Sequence, residues 1–295
     1  MAHLHDDDIK KLEEKANAIR QSILEMLIAA GSGHTAGPLG MTDIFTAFYF
    51  HILKHDPKNP LWEERDRLVL SNGHICPVQY ATLAHAGYFP IEELNTLRKF
   101  GSRLQGHPHR GKLPGIETSS GPLGSGLGQA VGMAIGFRMD KKKNQVYCFM
   151  GDGEQDCGIV WESMMMAGKL KLDNLTTIID RNNIQIDGMT EDIMPLENLR
   201  AKYEAFNWHV LEIDGHNMEK IVNAVEEARA IYEKPVMIIA HTIPGKGVPE
   251  IEFDYRWHGN PPGKGPTDLI PAVEQGKRML AELRTLGGRI KSEHQ

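Results

Sequence analysis

Cysteine is scarce in this chain, with Cys76, Cys148 and Cys157 the three among 295 residues. An odd number without a C-x-x-C pair excludes a disulfide framework and a zinc ribbon. Long apolar runs are also missing. No stretch approaches the about 18–20 residues of a membrane span, and the N-terminal MAHLHDDDIKK lacks the apolar core of a secretory leader. The expectation is a cytoplasmic protein without membrane contact. Nor is there an excess of positive charge. The 33 Lys and Arg against 39 Asp and Glu give a net charge of −6, which argues against nucleic acid, whose binders carry a basic stripe. Lys141-Lys142-Lys143 is the obvious basic cluster, and it suits a helix C-terminus. His3, His5 and Asp6 to Asp8 read as a solvated tail. No internal repeat is evident. What remains, 41% hydrophobic and 24% charged, is the composition of a soluble globular protein, long enough for one large α/β domain or two small ones.

Apolar residues at Ile9, Leu12, Ala16, Ile19, Ile23 and Leu27 recur at steps of three and four, predicting an amphipathic helix that Gly31-Ser32-Gly33 ends. Further helices are expected over Thr42 to Leu53, Tyr80 to Gly87, Ile91 to Phe100, Gly126 to Met139, Gly158 to Leu170 and Met218 to Glu233. Strands are expected at Arg67 to Ser71, Gln145 to Met150, Leu175 to Asp180, Trp208 to Ile213 and Val236 to His241. This alternation implies an α/β fold, a doubly wound parallel sheet with helices on both faces. The glycine- and proline-rich stretch from Gly101 to Gly128 is long for a connection, and such loops more often bind than space. After Pro262 a Gly/Pro linker leads to a polar helix, Leu269 to Leu286, and a ragged end. The domain division is therefore 1–262 and 263–295.

The most informative feature is Gly151-Asp152-Gly153, followed by Asn182 thirty residues after Asp152. The first closes one predicted strand and the second closes the next, so one strand–helix–strand unit returns both to the same rim of the sheet. A magnesium ion takes about six oxygens at about 2.0–2.1 Å, a few from protein and the rest from phosphates and water. Asp152 offers a carboxylate, Asn182 an amide carbonyl and Ile184 a backbone carbonyl. Gly151 and Gly153 free the backbone N–H groups of the turn for an anion near a helix N-terminus. Gly124-x-Gly126-x-Gly128 lacks the full dinucleotide fingerprint and follows no buried strand.

Among the fourteen histidines, four sit beside glycine in predicted loops flanking the expected site segments: Gly33-His34, Gly73-His74, Gly106-His107 and His258-Gly259. Imidazole donates to phosphate oxygens and exchanges hydroxyl protons near neutral pH. With their surroundings, these segments resemble a known family. Ser32-Gly33-His34-Thr35-Ala36-Gly37-Pro38-Leu39-Gly40-Met41, Leu70-Ser71-Asn72-Gly73-His74, Gly101-Ser102-Arg103-Leu104-Gln105-Gly106-His107-Pro108 and Gly121-Pro122-Leu123-Gly124 stand in the order of the pyrophosphate-binding half of transketolase. The similarity runs from about Ala16 to Pro262.

That resemblance implies thiamine diphosphate and Mg2+, for which Ca2+ or Mn2+ would substitute, with Asp152, Asn182 and Ile184 as metal ligands. It sets His74, Gly153 and His258 at the diphosphate, Gly121 and Leu123 beside the rings and Ile186 beneath them. His34, His107 and His258 would face the donor sugar. Thr35 stands where proline is common, Asn72 where many relatives have lysine, and Cys157 where glutamate often serves an interface network. The two further domains of a full-length transketolase have no counterpart here. The chain thus resembles the N-terminal subunit of a split, α2β2 transketolase of the pentose phosphate pathway, partnered by a pyrimidine-binding chain. The implied reaction moves a two-carbon ketol unit from a ketose phosphate to an aldose phosphate. The alternatives are a ketol transferase for an unusual sugar, a 1-deoxyxylulose-5-phosphate synthase-like enzyme, the α chain of a 2-oxo-acid dehydrogenase and a non-catalytic partner that keeps the fold.

Overall fold

A computed structural model describes residues 4–265 and 271–285. In chain order the elements are α1 (Asp6–Ala30), α2 (Ala36–Gly40), α3 (Thr42–Ala47), β1 (Arg67–Leu70), α4 (Cys76–His85), α5 (Ser125–Met139), β2 (Val146–Gly151), α6 (Gly158–Leu170), β3 (Leu175–Arg181), α7 (Thr190–Ile193), α8 (Leu199–Ala205), β4 (His209–Asp214), α9 (Met218–Ala230), β5 (Val236–His241) and α10 (Ala272–Thr285). The five strands form one parallel sheet in the order β1-β2-β3-β5-β4. No helix among the described residues is long and apolar enough to cross a membrane.

Successive residues of each strand enter opposite cores, as a pleat buried on both faces requires. In β2, Tyr147 and Phe149 pack into the layer made with α1, α3, α4 and α9. Val146, Cys148 and Met150 pack with α5, α6 and α8 on the other face. The first layer holds an edge-to-face cluster, with the Phe149 ring 4.9 Å from Phe45 and 4.8 Å from Phe48. α1 buries Leu12, Ala16, Ile19, Ile23 and Leu27 against that layer and ends at Gly31, whose φ of 57° lets its N–H reach the Leu27 carbonyl.

The doubly wound parallel sheet with helices on both faces is the architecture expected from the sequence, and each predicted strand is present within a residue of its predicted ends. Several helices differ. The segment expected to be helical from Ile91 to Phe100 is a 3-10 turn over Ile91–Thr96. Beyond it the Arg98 N–H bonds the Leu104 carbonyl, drawing the chain out of a helical path. α4 starts at Cys76 rather than Tyr80 because Pro77 suits a first turn. The helix from Thr42 continues past Ala47 as a π-helical turn, Phe48–Ile52. α9 stops at Ala230, short of the expected Glu233.

The long loop before α5 is held by the Arg65–Glu117 ion pair and by the Tyr80 hydroxyl donating to the Gln105 carbonyl at 2.9 Å. The helix expected over Leu269 to Leu286 is described over Ala272–Thr285, and Leu269, Ile270, Leu286 and the expected ragged end lie outside the described residues. α10 is less polar on one face than expected, and buries Met279, Leu280 and Leu283 in the same core as α1.

Phe149→Ala should lower unfolding free energy by about 3–5 kcal/mol, read from denaturant midpoints, because it empties the centre of the aromatic cluster. A loss under about 1 kcal/mol would show that the cluster closes over the gap.

Candidate active site

The C-terminal ends of β1, β2, β3 and β5 share one rim, where ligands bind in open parallel sheets. A cavity of about 450 Å³ opens there. It is lined by all twelve residues singled out in the sequence: His34, His74, His107, Gly121, Leu123, Gly151, Asp152, Gly153, Asn182, Ile184, Ile186 and His258. Asn72, noted in the sequence as standing where many relatives have lysine, lines it as well, together with Glu154, Asp180, Gln185 and Asp187, to which the sequence had assigned no role there.

The floor follows from strand register. Gly151 pairs with Asp180, so Asp152 and Asn182 leave neighbouring strands side by side. Asp152 Oδ1 accepts from the Gly153 N–H at 2.7 Å, and Oδ2 accepts from the Asn183 N–H at 2.7 Å. Arg181 Nη1 stands 3.2 Å from the same Oδ2. Burial pushes Asp152 up to about 6, against the pull of Arg181 and the two backbone donors. Asn182 donates its amide to Asp180 Oδ2 at 2.8 Å and accepts from the Ile184 N–H at 3.0 Å. Thr242 donates to the other oxygen of Asp180. Burial pushes Asp180 up to about 7, the Thr242 and Asn182 bonds opposing it and the Asp152 charge adding to it.

No group of three or more His, Cys, Asp or Glu among the described residues comes together to hold a metal. The candidate set is instead one carboxylate, one amide and one backbone carbonyl, hard oxygen donors of the kind Mg2+ takes beside phosphate oxygens. The Asn182–Asp180–Thr242 chain settles which way the amide faces, since its nitrogen is already committed.

Above the floor three imidazoles form a triangle. The His34 ring lies 4.9 Å from His74 and 5.6 Å from His258, and His74 lies 5.1 Å from His258. Burial, then His258, Arg98 and His107, lowers His34 to about 3. Burial lowers His258 to about 4. His74 is held well below its ordinary value by burial and its ring neighbours, and His107 is lowered by burial and Arg98. All four are neutral at pH 7, each able to donate at one nitrogen and accept at the other.

Several buried polar atoms here have no hydrogen-bond partner in the protein: His34 Nδ1, His258 Nδ1, Ser120 Oγ and both ends of the Asn72 amide. Buried polar groups are nearly always paired, so a cluster of orphans fits a site completed by a polar ligand. Gly73 permits the close approach of the two loops, because a Cβ there would collide with Ser120 Oγ. Gly124, at φ 83°, turns the chain into the N-terminus of α5, which favours an anion. On the outer side Ile186 is 65% and Leu123 40% exposed, so the cavity wall is apolar and open where the sequence reading expects cofactor rings.

The unusual positions have local explanations. Thr35 donates its hydroxyl to the Asn260 carbonyl at 2.6 Å, tying the His34 loop to the His258 loop. Cys157 precedes α6 beside Gly124, and burial raises its thiol, with Glu154 and Asp156 adding.

A parallel sheet that offers a carboxylate, an amide and neutral imidazoles at one switch-point cleft defines an α/β domain of the kind that holds a phosphorylated cofactor. The chain belongs to the transketolase family: residues 11–271 match the family model described as transketolase, thiamine diphosphate binding domain. It is 49% identical over 236 residues to the 6-deoxy-6-sulfo-D-fructose transketolase subunit SqwG of a Clostridium species, covering 80% of this chain and 86% of that protein. It is 41% identical over 275 residues to an apulose-4-phosphate transketolase subunit of Phocaeicola vulgatus, covering 93% and 94%. Against transketolase 1 of Escherichia coli the identity is 42%, over 85% of this chain and 40% of that one. The crystal structure of Campylobacter jejuni transketolase superposes with a TM-score of 0.80 at 35% identity, over 94% of this chain and 47% of that one. The chain thus spans under half the length of these two transketolases.

The lowered histidines set a pH dependence. Folding weakens their hold on a proton, so below about pH 6.5 the unfolded chain binds more protons than the folded one. The stability carried by the neutral rings is present above that pH and is lost as pH falls through about 4 for His258 and about 3 for His34. Asp152 and Asp180, raised to about 6 and about 7, act in the opposite sense, so the effect is read as a difference: without ligands, the thermal midpoint should fall between pH 6.5 and 4 relative to that of His34→Asn/His258→Asn. Parallel midpoint curves for the two proteins would contradict it.

Proposed function

We propose that this chain is the cofactor-binding subunit of a two-chain, cytoplasmic transketolase that moves a two-carbon ketol unit between phosphorylated sugars. The observation that carries the reading is the single cavity around which hard oxygen donors, neutral imidazoles and an open apolar wall meet. Thiamine diphosphate, when bound, supplies the carbon nucleophile that breaks the bond beside a ketose carbonyl.

The chain's own residues bind and orient. Asp152, Asn182 and the Ile184 carbonyl hold Mg2+, and Ca2+ or Mn2+ has the same oxygen preference. His74, His258 and the backbone of Gly151 and Gly153 hold the diphosphate. Gly121 and Leu123 flank the cofactor rings, and Ile186 supports them. His34 and His107 hydrogen-bond the donor's hydroxyls, while His258 faces the oxygen on which negative charge develops.

Two observations support a partner chain. The similar proteins from Clostridium and Phocaeicola vulgatus are both named as subunits, and this chain covers 86% and 94% of their length. On α6, Met164 is buried, but Met165 and Met166 are 55% and 45% exposed beside exposed Ile159. That face suits the pyrimidine-domain partner of an α2β2 assembly. The identity of 49% to a protein named for a sulfo-sugar favours a second reading within the class, in which the donor is an unusual sugar with another anionic end group.

Mixed with its pyrimidine-domain partner, the chain should catalyse ketol transfer with a maximum near equal molar amounts, and alone it should not. In the complex, thiamine diphosphate with Mg2+ at ~100 times its dissociation constant should add about 2.7 kcal/mol of stability, and Asp152→Ala should abolish the shift. Turnover by the isolated chain would refute the split reading, and an undiminished shift in the variant would refute the metal assignment.

Because His107 orients the donor's hydroxyls, His107→Ala should lower turnover with ketose phosphates by about 10²-fold, the scale of a lost positioning contact, with cofactor affinity nearly unchanged. Weakened cofactor binding with normal turnover at saturation would move His107 to the diphosphate instead.

A further inference from the structure

Arg181 ends β3, one residue before Asn182, and its side chain is 4% exposed. Three carboxylates surround it. Nη1 is 3.2 Å from Asp152 Oδ2, while Nη2 is 2.6 Å from Glu191 Oε1 and 2.9 Å from Glu197 Oε1. Each glutamate also holds backbone. Glu191 accepts from the Leu196 N–H through both oxygens at 3.2 Å, and Glu197 Oε2 accepts from the Leu199 N–H at 3.1 Å.

The segment between carries Ile186 and Asp187, which line the cavity. Its base is closed by the bridge between Ile184 and Met189 and by the Asn183 N–H on Asp152. The guanidinium therefore joins the floor of the site to the far end of the loop that forms its wall. Exposed ion pairs contribute little by themselves, and Glu191 and Glu197 are 38% and 56% exposed. Their effect lies in fixing where a buried cation points, and so how far its charge rests on Asp152.

We propose that Arg181 is a positioning residue that couples the orientation of Asp152 as a metal ligand to closure of the 184–197 loop against the cofactor. The inference rests on the metal and cofactor reading above. When Mg2+ occupies Asp152, the guanidinium must share that carboxylate, and the two glutamates keep it to one side. Tightening at the metal then tightens the loop, and loosening the loop loosens the metal.

The test uses the full chain with its partner, Mn2+ as the metal and thiamine diphosphate present. Arg181→Gln breaks the coupling but leaves Asp152 buried without its cation. Glu191→Gln/Glu197→Gln breaks it at the surface, where misfolding is not at issue. The double variant should weaken Mn2+ binding about 10-fold or more, the usual effect of losing groups that orient a ligand. Hydrogen exchange supplies the readout that a purely structural role would not move. Ligand should slow exchange across 184–197 in the unaltered protein and no longer do so in the double variant, while slowing near Gly121 to Ser125 persists. An unchanged Mn2+ dissociation constant, or full ligand-induced slowing of the loop in the double variant, overturns the inference alone. An unaltered complex that binds neither Mn2+ nor thiamine diphosphate overturns the functional reading and this inference together.

Discussion

Glu154 lies 2% exposed beneath the cleft and accepts three hydrogen bonds. The Ser71 hydroxyl and the Gly124 N–H share Oε1, and the Gly151 N–H reaches Oε2 at 3.0 Å. These donors come from the ends of the paired strands β1 and β2 and from the entry to α5, which the carboxylate ties to them. Burial raises the carboxyl above its ordinary range and the three bonds pull it back. Bonds to a charged group contribute about 1.5–3 kcal/mol each, while desolvating a carboxylate costs several. The net stabilisation is small, so the effect of Glu154 is specification: one arrangement of the three chain ends satisfies it. Ser71 completes the tie by accepting from the Gly126 N–H at 3.1 Å.

A similar tie fixes the far side. Arg20 of α1 makes a two-pronged pair with Asp43 of α3, at 3.0 and 2.5 Å, and His216 meets the same carboxylate at 2.7 Å through Nδ1. His216 Nε2 accepts from the Ile243 N–H at 2.7 Å, one residue beyond Thr242. Arg20 and the His216 contact hold Asp43 well below the usual carboxylate range despite its burial. The helices of one face are thereby keyed to the loop that sets Thr242 on Asp180. The strand ends are thus held by two buried ties, one centred on Glu154 and one on the Arg20–Asp43 pair.

The residues that line the cleft were legible where local chain geometry alone carried them there. A strand–helix–strand unit must return Asp152 and Asn182 to one rim, so their spacing was enough. Histidines beside glycine marked loops, and the loops meet because parallel strands all end at the same edge. Glu154 carried no such signal, since its partner Ser71 is 83 residues away and its chemistry exists only after folding. Arg181 carried none either, its glutamates lying in a loop with no periodic pattern. The short helices α2, α7 and α8 were also missed. They bury too few residues for periodicity to register, although Asn198 caps α8 by accepting from the Ala201 N–H at 3.0 Å. Ile91 to Phe100 has a helical composition, but a backbone bond to Leu104 outweighed propensity, which is a weak prior beside tertiary contacts.

The triangle of buried imidazoles has a consequence for calorimetry. An anion entering among them offsets the desolvation that keeps the rings neutral and raises the proton affinity of each. Filling the cleft therefore draws protons from the surrounding buffer. The heat of association then contains the buffer's own enthalpy of ionisation, so titrations in phosphate and in Tris would report different enthalpies for one and the same binding event.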